Sequence, residues 1–278
     1  MPRIPLEDNF TDVLGKALRG LQLTPDDLAA KAGITPAEVA ALLRGEIRDY
    51  PLRAAARALQ LNPAALASLA RKQWYPEQPV FPRGFALFNA PYEDDLTVNT
   101  YLVWDSRTRL AAAFDAGVAE NTAAMLDTIA AEKLQLHYIF ITHTHEDHIA
   151  GLPQLTAAHP RAAVWASERE PVDHPGAQTF GENAHFHLGE LAVKTLFTWG
   201  HSPGQTSYYV TGLSWPLAIV GDSLFAASVG GSSTHYAEQL RNDREKLFRL
   251  PADTVLACGH GPLTTLTQER RYNPFFAR

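Results

Sequence analysis

The sequence predicts a mixed α/β fold preceded by a small all-helical region, and three observations carry that expectation. Residues 10 to about 72 are capped segments dominated by alanine and leucine, with no β-branched run. Prolines 76, 79 and 82 then break the pattern. From residue 85 onward, short apolar runs alternate with segments of helical periodicity.

In the first region, TPDDLAAKAG offers Thr24 as N-cap, Pro25 as first helical residue and Gly33 as stop. TPAEVAALLRGE repeats that grammar with Thr35, Pro36 and Gly45. A further helix is expected across YPLRAAARALQL and a short one after Asn62-Pro63. The expected division is a helical, helix-turn-helix-like domain over 1–75, a linker over 76–84 and an α/β domain over 85–278. Within the latter, TVNTYLVWD and RLAAAFDAG read as strands, NTAAMLDTIAAEKL as a helix and HYIFIT as a buried strand. Strands are expected at 163–166, 192–198, 206–211, 216–220 and 254–257, and a helix over 236–249.

The bulk properties exclude several classes. With 278 residues, 46% hydrophobic and 19% charged, the chain has ordinary globular composition. A net charge of −6 argues against a protein that coats nucleic acid or anionic membrane. No run approaches the roughly 18 apolar residues of a membrane span. The opening MPRIPLEDNF has no basic region followed by an apolar core, so no secretory leader and a cytoplasmic location are expected. Cys258 is the single cysteine, which excludes an intrachain disulfide and a thiolate metal cluster.

The stretch THTHEDHIAG follows the strand HYIFI and precedes the helical pattern AGLPQLTAA. It therefore presents His143, His145, Asp147 and His148 at the carboxyl end of a strand, where α/β sheets place their sites. Strand alternation sends His143 and His145 to one side, with Asp147 and His148 entering from the turn. Side by side and buried, these groups would repel one another or go unsatisfied without a cation among them. Imidazoles and carboxylates without thiolate suit zinc, iron or manganese. Three later stretches repeat the arrangement of an apolar run, a ligand-type residue and a neighbouring glycine: WGHSPGQ with His201, IVGDSLF with Asp222 and LACGHGP with His260.

In this order the motifs resemble the metallo-β-lactamase fold, and within it the glyoxalase II (hydroxyacylglutathione hydrolase) group, over residues 85 to 278. The resemblance implies an αββα sandwich holding two divalent metal ions, zinc foremost with iron or manganese as alternatives. By it, His143, His145 and His201 hold the first metal, Asp147, His148 and His260 the second, and Asp222 bridges them. Asp147 and Asp222 are the carboxylates placed in the chemistry itself. Asp115 in FDAG matches an acidic residue that orients a ligand from below the site.

The implied reaction is hydrolysis of an acyl-glutathione-like thioester. A hydroxide shared by two metals is nucleophilic near neutral pH, and a thiolate with a pKa near 8.5 leaves without a strong general acid. Rivals within the fold are a mononuclear-iron persulfide dioxygenase and a lactonase. The fold's nucleases carry a large insertion before the last histidine, and residues 223–258 leave no room for one. GHGPLTT and the closing NPFF resemble small glyoxalase II-like proteins, not the dioxygenases. Two departures stand out: Gln205 replaces a histidine of the common GHTPGH, and VGGSSTHY stands where the family often reads GR followed by an acidic residue, near the expected substrate mouth. Tyr208, His235, Tyr236, Arg270 and Arg271 are candidate pocket residues.

The amino-terminal helices raise a different class of function. LAAKAGITPAEVAALLRGE resembles a helix-turn-helix of the Cro/repressor type, so a DNA-binding regulator with a ligand-sensing hydrolase-like domain is the competing reading. Residues 1–75 carry ten basic against eight acidic residues, a net of +2. The recognition helix would begin TPAEV, with no Arg, Asn or Gln to read base edges. Arg44, Arg48, Arg53 and Arg57 remain as phosphate contacts. A packing module or a homo-oligomer contact is favoured over DNA.

Overall fold

The computed structural model describes residues 3–93 and 96–277. Five helices come first: α1 (Phe10–Gly20), α2 (Pro25–Ala32), α3 (Pro36–Leu43), α4 (Asp49–Ala58) and α5 (Pro63–Ala70). Thr24 and Thr35 cap α2 and α3 with reciprocal bonds to Asp27 and Glu38, and Pro25 and Pro36 open the helices. Gly33 closes α2 in the left-handed region at φ 64°.

The first sheet contains β1 (Phe85–Tyr92), β2 (Leu96–Trp104), β3 (Leu110–Phe114), β4 (Gln135–Phe140), β5 (Ala163–Ser167) and β6 (Gln178–Phe180), adjacent in that order. Its first three strands are antiparallel, and β3 through β6 run parallel. Pro91, which cannot donate to a ladder, sits on the edge strand β1. The second sheet draws on β7 (His185–Leu188), β8 (Leu191–Phe197), β9 (Thr206–Thr211) and β10 (Leu217–Gly221). A small hairpin of β11 (Leu224–Phe225) and β12 (Ser228–Val229) stands apart, and β13 (Val255–Cys258) and β14 (Thr264–Thr265) return to the sheet. Its order is β14-β13-β10-β9-β8-β7, with β10 and β13 parallel. The remaining helices are α6 (Ala119–Ala131), α7 (Glu146–Ile149), α8 (Leu152–Ala158), α9 (Tyr236–Glu245) and α10 (Leu266–Tyr272).

Three apolar layers hold these elements together. Between the sheets, Tyr101, Phe114 and Phe140 of the first face Tyr208, Val210 and Ile219 of the second. Outside the first sheet, Leu102, Ala113 and Ile139 pack on Met125 and Ile129 of α6 and Leu155 of α8. Outside the second, Ala218, Val220 and Leu256 join one continuous core with Leu14, Leu28, Leu42, Leu52 and Leu66 of the first five helices. Along β10 the side chains alternate, with Leu217 and Ile219 inward and Ala218 and Val220 outward. The whole strand is therefore apolar and buried, which is why it reads as a continuous run. The result is the αββα sandwich, with the amino-terminal helices covering one outer face.

The elements differ from the expected ones mainly at their ends. The helix over 236–249 stops at Glu245 and a separate 3-10 turn spans Leu247–Arg249. The turn after β4 is a single turn of helix, α7, followed by α8. Three of the arginines considered for phosphate contacts already face carboxylates: Arg44 and Arg48 lie beside Glu46, and Arg53 beside Asp49. No helix among the described residues is long and apolar enough to cross a membrane.

Candidate metal centre

The ligand-type residues come from loops that leave the carboxyl ends of five strands. Asp115 follows β3, His143 and His145 follow β4, His201 follows β8, Asp222 follows β10 and His260 follows β13. Asp147 and His148 ride on α7, whose single turn swings them back beside the two earlier histidines. Parallel strand direction collects these ends on one edge of the sandwich, as α/β sheets do at their sites.

Three groups of side chains each bring their ligand atoms within 4.8 Å of one another: His143, His145 and His201; Asp147, His148 and His260; and His143, His148 and Asp222. In the first, His143 Nε2 lies 3.0 Å from His145 Nδ1, which lies 3.1 Å from His201 Nε2. In the second, Asp147 Oδ2 is 3.2 Å from His260 Nε2 and 3.5 Å from His148 Nε2. Asp222 stands between the two groups. Its Oδ2 is 3.4 Å from His201 Nε2 and 3.3 Å from His260 Nε2, and its Oδ1 is 3.3 Å from His148 Nε2.

The outward-facing nitrogens of the histidines are held by other groups, which leaves the inward ones free for a cation. His148 Nδ1 meets Asp115 Oδ2 at 2.8 Å, His201 Nδ1 the Gly231 carbonyl at 2.8 Å and His260 Nδ1 the Thr97 carbonyl at 2.8 Å. Asp115 also accepts from the Thr142 amide at 2.7 Å and the Thr142 hydroxyl at 2.8 Å. It does this at φ 58°, a left-handed conformation that costs a non-glycine residue of order 1–3 kcal/mol and persists only where the surrounding structure over-determines it. Two glycines clear space around Asp222. A Cβ on Gly259 would fall 2.1 Å from Asp222 Oδ1, and one on Gly230 would fall 1.9 Å from the Asp222 carbonyl.

Electrostatics divide His143, His148, His201 and His260 into two kinds. Burial, reinforced by the neighbouring imidazoles, holds His143 well below the ordinary histidine range and His201 below it. Burial also penalises charge on His148 and His260, but carboxylates outweigh it there. Asp115 and Asp222 raise His148 to about 10, while Asp222 and Asp147 hold His260 well above its usual value. Asp222 is shifted the other way: burial works against its charge, but His260 and His148 keep it well below the carboxylate range. The carboxylates therefore favour protons on His148 and His260, whereas burial disfavours them on His143 and His201. Two further observations show that the cavity fits a cation. His148 Nε2 and Asp222 Oδ1 are buried with no hydrogen-bond partner, and they face each other at 3.3 Å.

All seven expected ligand residues and Asp115 thus lie in one centre. Four of the five expected pocket residues do not join it. Tyr208 is 0% exposed in the inter-sheet core and donates its hydroxyl to the Ile141 carbonyl at 2.6 Å. Tyr236 is buried against the amino-terminal helices, beside a cavity of about 170 Å³ lined also by Leu21, Leu59 and Phe275. Arg270 donates to the Phe248 carbonyl and Arg271 lies over the Tyr272 ring. His235, exposed, stacks edge-on against Trp199, close to the His201 loop. Gln205 donates to the Val220 carbonyl at 3.0 Å, behind Asp222.

One residue with a part in the geometry escaped the sequence reading. Glu170 accepts from the Thr144 amide and hydroxyl at 2.9 and 2.8 Å through one oxygen. Through the other it accepts from the Ser202 hydroxyl at 2.6 Å and the Gly204 amide at 2.8 Å. It ties the His143–His145 loop to the His201 loop. No motif marks it, because its partners are brought to it only by folding.

Comparison with known proteins agrees with this geometry. The chain is 38% identical over 164 residues to a hydroxyacylglutathione hydrolase of Synechococcus sp. strain JA-3-3Ab, covering 58% of this chain and 62% of that protein. It is 32% identical over 158 residues to the probable metallo-hydrolase YqgX of Bacillus subtilis, covering 49% of this chain and 74% of that one. Against four of the hydroxyacylglutathione hydrolases it matches, the alignment spans only 54–62% of their length. Among solved structures, ETHE1 from Myxococcus xanthus superposes with a TM-score of 0.58 at 26% identity, covering 68% of this chain and 83% of that one. The sequence profile of the Metallo-beta-lactamase superfamily matches residues 94–260, which contain every member of the centre, and the chain belongs to that superfamily.

Proposed function

We propose that this metallo-hydrolase cleaves thioesters of the acyl-glutathione type at a centre of two divalent metal ions, zinc foremost. Asp222 carries the reading. It is one buried carboxylate placed between two triads of ligand-type side chains and within 3.4 Å of members of both. His143, His145 and His201 would hold the first ion, and Asp147, His148 and His260 the second. Bound there, the pair supplies an activated water nucleophile near neutral pH and a Lewis acid for the substrate carbonyl.

The chain's own residues do the rest. Asp115 fixes the ring of His148 from behind, and the Thr97 and Gly231 carbonyls do the same for His260 and His201. Each of these three rings thereby keeps its Nε2 pointing inward as a ligand atom. Asp147 and Asp222 offset the cationic charge and keep their oxygens available as acceptors inside the cavity. A thiolate leaving group suits a centre in which the surrounding histidines are committed as ligands and none is left as a dedicated proton donor.

The test is metal analysis of the purified protein joined to an activity panel of thioesters, lactones and persulfides. About two metal ions per chain with thioester turnover is the expected result. A protein active with a single iron that consumes oxygen in the presence of a persulfide would overturn the hydrolase reading.

A further inference from the structure

The segment that precedes α1 runs across the loop that carries His260. A Cβ on Gly261 would lie 3.2 Å from the Glu7 nitrogen, 3.5 Å from the Glu7 Cβ and 3.6 Å from the Pro5 carbonyl, so residues 5–7 pack directly over that glycine. The next residue, Asp8, is buried and paired with Lys16. The Lys16 ammonium donates to the Val229 carbonyl at 2.9 Å and sits 5.0 Å from the centre of the Phe225 ring. That ring in turn meets the His260 ring edge-on at 5.5 Å. The amino-terminal segment is thus pinned to the second-metal side of the centre and forms part of its wall.

Glu7 lies at the middle of that wall. It is half-buried, and among the described residues no hydrogen bond engages its carboxylate. Burial above all raises the Glu7 carboxyl, and among the charges acting on it His260 comes first, ahead of its chain neighbour Asp8 and of Lys16. Lys16 is already committed to Asp8 and Val229. Tyr92 at the end of β1 lies on the same side: burial raises its hydroxyl, and the carboxylates of Glu93, Asp147 and Glu146 act in the same direction. Beside His201, two residues before it in the chain, Trp199 carries the Arg169 guanidinium 4.6 Å above its ring. The surroundings of the two ligand groups therefore differ, acidic beside His260 and aromatic-cationic beside His201.

We propose that Glu7 is a substrate-selecting residue of this centre, supplied by the amino-terminal helical region. It admits thioesters that place a cationic or neutral group on the His260 side and rejects those that place a carboxylate there. The inference rests on the thioester-hydrolase reading and narrows its substrate class. An unpaired, half-buried carboxylate discriminates by repulsion as much as by attraction, and loss of water from the mouth strengthens both effects.

The test compares three acetyl thioesters on the metal-loaded, full-length protein: cationic acetylthiocholine, anionic S-acetyl-3-mercaptopropionate and neutral S-acetyl-N-acetylcysteamine. The wild-type protein should favour the cationic over the anionic substrate in kcat/KM by about tenfold at low salt, and the ratio should shrink as salt is raised. Glu7→Gln should bring the ratio towards one and Glu7→Lys should invert it. Non-hydrolysable thioethers of the same three charges, titrated by calorimetry, should bind in the same order. A charge ratio unchanged across the three proteins, or indifferent to salt, overturns the proposal. Failure to cleave even the neutral thioester with both metals bound would sink the hydrolase reading, and the thioether affinities alone would then decide the role of Glu7.

Discussion

Asp222 is the carboxylate that stands within 3.4 Å of members of both histidine-bearing triads. A carboxylate between two cations offsets part of the charge of each and fixes their separation. Asp222→Asn keeps the shape, removes the charge and should lower metal content to about one ion or fewer while reducing kcat by at least ~10²-fold. Metal analysis and thioester kinetics on the folded variant check this, and wild-type turnover with two metals bound would exclude the bridging role. Protonation supplies a second prediction at the same scale. His148 is raised in the folded chain to about 10, so its contribution is fully present below the unfolded value of about 6.5 and is lost as pH rises through 10. His260, also raised, acts in the same direction. His143 and His201 are lowered, so the stability they allow is lost as pH falls below about 6.5. The EDTA-treated protein should therefore melt highest near neutrality and lose stability on both sides. Zinc binding should release protons and tighten as pH rises from about 6.5 towards 10. Melting temperatures across pH, and calorimetry in buffers of different ionisation enthalpy, measure both effects. A metal-free protein that grows steadily more stable above neutral pH would contradict the assignment of protons to His148 and His260.

At the scale of elements, the centre is a meeting of loops, and Glu170 is what joins two of them. Its four hydrogen bonds span from Thr144, between His143 and His145, to Ser202 and Gly204, which flank His201. Glu170→Ala leaves those donors without their acceptor, at a cost of order 1–3 kcal/mol. It also frees the His201 loop, so metal affinity should fall about 10–100-fold, the usual penalty for removing a group that orients ligands. Competition with a chelator, read alongside thermal melting, separates the two effects. An unchanged metal affinity would confine Glu170 to a packing role. These elements were also where sequence and structure agreed best. The capped starts of α2 and α3 and the strands at 163–167, 206–211 and 255–258 follow from local signals that do not depend on distant neighbours. The short strands β6, β11, β12 and β14, by contrast, carry two or three residues each and exist only through pairing.

For the molecule as a whole, the amino-terminal helices are structural as well as adjacent to the centre. Leu14, Leu28, Leu42, Leu52 and Leu66 share one apolar core with the outer face of the second sheet. Removing residues 1–72 would uncover Ala218, Val220, Leu224 and Leu256 on that face, an exposed apolar patch of the kind that drives aggregation. The truncated chain should be poorly soluble or lose cooperative melting, as read by size-exclusion chromatography and circular dichroism. A monodisperse fragment that melts like the full chain would show the helices to be dispensable.

The sequence by itself determined the fold class and singled out the ligand-type residues that folding gathers in one centre. Strand periodicity, capping residues and an H-x-H-x-D-H loop are local patterns, and the later His201, Asp222 and His260 each sit at the end of an apolar run beside a glycine. Only tertiary structure decided what stands around them. Tyr208 looks like a pocket residue in a linear reading, yet strand alternation and the facing sheet put it in the core. Tyr236 goes to the packing face of α9 and not to the substrate mouth. Glu170 and Glu7 carry no motif, because each acquires its role from groups that are far away along the chain and near only after folding. Ligand residues are announced by their chemical type, whereas positioning and selecting residues are defined by the distances that packing creates.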